Sequence, residues 1–187
     1  MTVKTVAKPK AKPRTKSPAP AVTADIQIDS PLWDAQPRAE ATVRAAIAAA
    51  AAALSTSAGE VSILLTDDSA IQALNRDWRG FDKPTNVLSF PVPKGPAMGG
   101  APLLGDVAIA YETVQRECDV EGREFLHHLT HLAVHGFLHL IGFDHQNDGE
   151  ADEMEGIESK IMIAMNLPDP WLTPWHHRDS DQPEGGL

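Results

Sequence analysis

The sequence predicts an α+β domain: a mixed four-stranded sheet packed with helices, mainly on one face. Three observations lead there. Four short runs rich in β-formers lie at residues 25–29, 60–66, 86–90 and 106–110. Helical stretches separate the earlier runs, and after residue 110 the pattern is helical only. Alternation followed by a helical finish points to helices layered on a sheet. At 187 residues, one domain with tails is expected, with room for a sizeable core.

In chain order, residues 1–22 carry six Lys/Arg and no acid, interspersed with Pro and Ala. Such a segment cannot bury a core and reads as a disordered basic arm. It has no apolar stretch of the kind a secretory signal needs. An arm touching RNA phosphates and solvated filler both stay open. Residues 25–29 alternate polar and apolar, as a half-buried strand does. Ser30-Pro31 and Gln36-Pro37 punctuate a loop around Trp33. Alanine-rich residues 38–54 form a helix by propensity. The strand at 60–66 precedes Asp67 and Asp68, either of which can cap the next helix. That helix runs to Trp78, with Ile71, Leu74 and Trp78 on one face.

The third strand, 86–90, ends at Pro91, and a Pro/Gly-rich loop follows over 91–102. After the strand at 106–110 come a short helix at 112–118, a long helix at 121–141 and a last one at 150–165. Glu150, Glu153 and Glu158 read as its solvated face. The third or fourth strand is expected beside the long helix, leaving an edge along which an extended substrate could lie. The domain is placed at 23–167 and a C-terminal tail at 168–187, in which Trp171 and Trp175 can pack back and His176 or His177 can approach the site described next.

His135 and His139 lie one helical turn apart, so their imidazoles can converge on one point. Gly142 follows where helices often end in a left-handed turn, and that turn can bring His145 round. Three imidazoles with an open fourth position make a catalytic zinc site. His127 and His131 extend the ladder backwards. His127 should point away from the metal and His131 toward a supporting or substrate-facing position, while His128 is expected at the surface. The spacing is metzincin-like, matching H-E-x-x-H-x-x-G-x-x-H, except that Gly136 stands where that motif has its general base. Peptide hydrolysis by that mechanism is therefore disfavoured.

The segment from His135 to His145, the run KPTNVLSFP from Lys83 to Pro91 with Leu74, Asn75 and Arg79 ahead of it, and LGDVAI from Leu104 to Ile109 together resemble the YbeY family. These are bacterial rRNA maturation factors and single-strand-specific endoribonucleases. The likeness runs over residues 25–165. It implies Zn2+ held by His135, His139 and His145, one ion per chain, and a cytoplasmic role in ribosomal RNA processing, including 16S rRNA 3′-end maturation and ribosome quality control. The implied partners are single-stranded or precursor ribosomal RNA and ribosomal or small-subunit assembly proteins, with no membrane and no nucleotide cofactor.

Composition agrees in part. One cysteine, Cys118, excludes an internal disulfide and suits a reducing compartment. The longest apolar run, residues 45–54, is too short to span a bilayer. Without the arm, ten basic residues face 26 acidic ones, a formal −16. Such a body is a poor general polyanion binder, so RNA contact must be local or supported by a partner. Arg79 is the candidate phosphate clamp, with Lys83 a weaker one. On the residues alone, Arg79 could equally be an exposed helix-end arginine; the resemblance, which has an Arg at this point, favours the clamp. Asp144 and His131 are candidates for proton transfer. Two other readings are a zinc peptidase with a base from elsewhere and a ribosome-assembly factor with structural zinc.

Overall fold

Four strands form a mixed sheet, and the computed structural model describes residues 22–56, 58–93 and 101–172 of the chain. The elements are β1 (Val22–Ile28), a 3-10 turn (Pro31–Ala35), α1 (Ala39–Ala53), β2 (Gly59–Thr66), α2 (Asp68–Arg79), β3 (Val87–Pro91), β4 (Leu103–Ala110), α3 (Tyr111–Glu121), α4 (Phe125–Ile141) and α5 (Asp148–Ala164). The strand order is β1-β2-β4-β3. β1, β2 and β4 are parallel, and β3 runs antiparallel to β4 at one edge. Most of the basic arm, residues 94–100 of the expected loop, and Trp175, His176 and His177 lie outside the described residues. Val22, assigned above to the arm, already pairs with Gly59.

The main core lies between one sheet face and α1, α3, α4 and α5. Val61, Ile63, Leu65, Val107 and Ile109 from the sheet meet Val43, Ile47, Val114, Leu129, Phe137 and Met154 from these helices. Trp33 is pulled under this layer, its indole N–H donating to Thr66 O at 2.8 Å. On the opposite face, among the described residues, only α2 packs, setting Ile71 and Leu74 on Leu88, Ala108 and Ala110. Asp67 is the residue that caps it, Oδ1 accepting from Ala70 N at 3.0 Å, whereas Asp68 reaches across to Thr113 and Arg116. Cys118 is buried in the main core.

Several expectations need correction. Trp78 does not bury with Ile71 and Leu74; it is 71% exposed and touches Phe90 edge-on at 6.0 Å. Beyond Leu74 the strands offer a row of polar residues, Asp25, Ser62 and Asp106 in register, beside Phe90, so the indole is covered on one edge only. The long helix expected over 121–141 is interrupted. Gly122 turns left-handed at φ +65, and Glu124 starts α4 by accepting from His127 N at 2.7 Å. α3 therefore folds back beside α4 and offers Glu117 to His128. That histidine is buried, its Nε2 2.7 Å from Glu117 Oε2, not at the surface. Glu158 is fully buried, while Glu150 and Glu153 are exposed as expected. Glu158 shares a helix face with Met154, Ile161 and Met162, all buried. The packed body also extends past 167, because Pro170 is buried and Trp171 is docked.

Candidate metal centre

α4 buries most of its residues, so its orientation is set by burial. Phe137 and Leu138 enter the core, and His135 and His139 emerge half-buried along the opposite stripe. Gly142 ends the helix at φ +105, a conformation a side chain rarely tolerates. The turn brings the exposed His145 back to the pair. Ring centroids are 4.7 Å apart for His135–His139, 5.0 Å for His139–His145 and 5.5 Å for His135–His145. One ring nitrogen from each lies within 4.8 Å of the others.

Hydrogen bonds behind the rings assign their protons. His135 Nδ1 is 2.8 Å from Glu158 Oε1, and His139 Nδ1 is 3.0 Å from Phe143 O. An ionised carboxylate and a carbonyl only accept, so both Nδ1 atoms carry hydrogen. Each Nε2 then presents a lone pair, and the two Nε2 atoms face one another at 3.1 Å. Two lone pairs at that distance repel unless a proton or a metal ion lies between them. Two nitrogen ligands of tetrahedral zinc, bonded at about 2.0–2.1 Å, would sit about 3.3 Å apart. The donor set and its spacing fit such an ion.

Burial lowers the His139 pKa first, and the neighbouring His135 and His145 lower it further, which favours the neutral ligand form. Burial alone would raise the Glu158 carboxyl. The hydrogen bonds from His131 and His135 overcome it and hold Glu158 at about 2. Glu158, expected on a solvated face, is the residue beside the cluster that the sequence placed wrongly. Its signal was there, a lone acid in the Met154–Ile161–Met162 stripe, but not the knowledge that two histidines wait opposite.

His131 does not join the cluster. It is buried, its Nε2 2.9 Å from Glu158 Oε2 and its ring 6.4 Å from that of His135. Burial pushes its pKa down, opposed in part by Glu158. Asp144 borders the site at the half-exposed level. Its Oδ1 accepts from His145 N at 2.9 Å, which lowers its pKa, and lies 3.9 Å from His139 Nδ1. Arg79 is exposed at the end of α2, with Nη2 donating to Ser89 O at 2.8 Å and its guanidinium carbon 5.9 Å from the Phe90 ring centre. Ser89 Oγ in turn donates to Gly136 O at 3.2 Å, beside His135. β3 thus ties Arg79 to α4. Lys83 contributes its carbonyl to Asn75 Nδ2 at 2.8 Å, holding the turn between Arg79 and β3.

Gly136 explains the missing peptidase base. A Cβ there would stand 2.8 Å from Val107 Cγ1 and 3.2 Å from Ser89 Oγ. This position faces the sheet, so a glutamate would be driven into packed strands. The β3 edge is also partly sealed. Ala110 N donates to Asn86 O, and Val92 N to Leu104 O. Even-numbered residues therefore pair with β4, and the backbone groups of Val87 and Ser89 face outward. Val87 N is taken by Asn86 Oδ1 at 2.7 Å, Ser89 O by Arg79, and Pro91 has no N–H. Val87 O and Ser89 N remain among the outward groups, so the edge expected to take an extended substrate is narrowed rather than closed. None of the described helices is long and apolar enough to cross a membrane.

The family model described as Endoribonuclease YbeY matches residues 27–166. Endoribonuclease YbeY of Nitrobacter winogradskyi is 52% identical over 156 residues, covering 80% of this chain and 82% of that one. The Rhodopseudomonas palustris BisB18 protein of the same name is 53% identical over 152 residues, covering 79% and 90%. A Bradyrhizobium diazoefficiens relative, also so named, is 51% identical over 153 residues, covering 79% and 84%. A solution structure from Thermotoga maritima aligns with 76% of this chain and 92% of its own at 21% identity and a TM-score of 0.42.

Proposed function

This chain belongs to the YbeY endoribonuclease family, and from that premise we propose that it is a zinc-dependent, single-strand-specific endoribonuclease of ribosomal RNA maturation. The observation that carries the metal reading is the pair of Nε2 lone pairs of His135 and His139 facing one another at 3.1 Å with His145 beside them. Three imidazoles suit zinc, as they also suit nickel, copper or iron, and zinc is the ion we infer. Bound there, zinc would supply Lewis-acid polarisation of a phosphoryl oxygen and an acidified water.

The chain's own residues supply the rest. Arg79, anchored through Ser89 to the metal helix, offers a permanent positive charge to the scissile phosphate. Asp144 is a carboxylate beside the cluster on its solvent side, Oδ1 3.9 Å from His139 Nδ1, placed to exchange a proton with substrate or water. His131 acts from behind, holding Glu158. With a strongly acidic body, binding concentrates on this local patch. That suits action on precursor ribosomal RNA, including the 16S 3′ end, within a small-subunit assembly complex in the cytoplasm. The packing of Gly136 against Val107 and Ser89 speaks against the peptidase reading.

The test compares wild type, His139→Ala and Arg79→Ala for metal content and for cleavage of single-stranded RNA, duplex RNA and peptide. The expected result is one zinc per chain in wild type and in Arg79→Ala. Single-strand cleavage should fall at least about 100-fold in Arg79→Ala, and His139→Ala should lose both metal and activity. Chelator-sensitive peptide cleavage without RNA cleavage would overturn the proposal, and normal RNA turnover by Arg79→Ala would remove that residue from it.

A further inference from the structure

Glu158 sits on α5, distant in sequence from the histidines it serves. Its Oε1 accepts from His135 Nδ1 at 2.8 Å, and its Oε2 from His131 Nε2 at 2.9 Å and Trp171 Nε1 at 3.0 Å. We propose that Glu158 is a positioning residue of the three-histidine centre and that residues 169–171 form a strap holding it in register. The proposal rests on the metal-centre reading above.

The reasoning is one of tautomers. Glu158 keeps the His135 proton on Nδ1, so that Nε2 meets the cation with its lone pair. A carboxylate free to rotate would leave that choice open, and an N–H turned toward the cluster would remove one ligand. His131 and Trp171, both donating to Oε2, prevent the rotation. Trp171 is itself held. Its backbone N donates to Asp169 Oδ1 at 3.0 Å, and Asp169 Oδ1 also accepts from Ser159 Oγ at 2.8 Å, one residue beyond Glu158. Arg123, from the α3–α4 connection, donates to Pro170 O at 3.3 Å. The indole stands edge-on to His131 at 5.5 Å. It also divides two cavities that both reach His135, one of about 220 Å³ shared with His145 and Met154, the other of about 210 Å³ shared with Asn86 and His128. The strap therefore fixes the back of His135.

Zinc affinity measured by competition with a calibrated chelator tests this, with cobalt(II) absorption as a report on ligand geometry and circular dichroism of the metal-free protein as a check on folding. In Glu158→Gln the amide presents an N–H2 to one of its two histidines, and affinity should fall about 10–100-fold. Trp171→Phe keeps a ring but deletes the donor. It should weaken zinc in the same direction by roughly tenfold or less, alter the cobalt spectrum and leave the metal-free fold intact. If Glu158→Gln does not fold, Trp171→Phe carries the measurement. Zinc affinities within twofold of wild type in the folded variants, with His139→Ala having lost the metal, overturn the positioning role alone. A wild-type protein that takes up no zinc, or a His139→Ala variant that binds like wild type, overturns the metal centre and this proposal with it.

Discussion

Replacing Gly136 by alanine sets two effects of opposite sign against each other. Alanine in mid-helix is better than glycine by about 1 kcal/mol. Against this, the added Cβ would lie 2.8 Å from Val107 Cγ1 and 3.3 Å from Val107 Cγ2. Val107 is 1% exposed, and its branched side chain has few alternative rotamers in the sheet. Relief therefore means moving α4 away from β4, and such overpacking costs about 1–3 kcal/mol. The net is a destabilisation of about 1 kcal/mol. With a urea m-value of about 2 kcal/mol/M this lowers the unfolding midpoint by roughly 0.5 M. Gly136→Glu adds a carboxylate to the same buried spot, and a loss beyond about 4 kcal/mol is expected. It should unfold or displace the helix, and no peptidase activity should appear. Urea denaturation of the three proteins, read by tryptophan fluorescence and circular dichroism together, decides it. A Gly136→Ala protein more stable than wild type would refute the close-packing argument, and a folded Gly136→Glu protein that cleaves peptides would refute the account of why the base is absent.

Trp33→Phe leaves Thr66 O without its donor in the core and opens space beside it, so thermal unfolding should show a loss of about 2–4 kcal/mol. Asp67→Ala removes the cap of α2 and should cost about 1 kcal/mol by chemical denaturation, with metal content unchanged. The Cys118 thiol is pushed up to about 12 by burial and by the acidic groups around it. Its alkylation at pH 8 should be slower in the native protein than in urea by roughly 10³-fold, and comparable rates would show the site to be open. Because the folded pKa is the raised one, this thiol's contribution is full below the unfolded value of about 8.5 and is lost as pH climbs toward 12. Cys118→Ala should flatten that alkaline decline.

Much of the site was legible because it is local. His135, His139, Gly142 and His145 lie within one helix and its cap, where a 3.6-residue turn and one left-handed glycine set their relative positions whatever the rest of the chain does. The four strands and the Asp67 cap were legible for the same reason. The errors fell where distant segments meet. Helical spacing put Trp78 on one face with Ile71 and Leu74, but how far that face is covered depends on strands from elsewhere, and Trp78 stays 71% exposed beside Phe90. His128 was assigned to the surface because its partner Glu117 is on another helix.

By itself the sequence determined the three-histidine spacing, the sheet-and-helix class and the absence of the peptidase glutamate from its usual place. Tertiary structure alone decided that Glu158 lies behind His135, that Trp171 and His131 hold it there, and that Gly136 is where α4 rests on the sheet. The physical reason is that periodicity assigns a residue to a face of its own element. What that face meets depends on how several elements share one core.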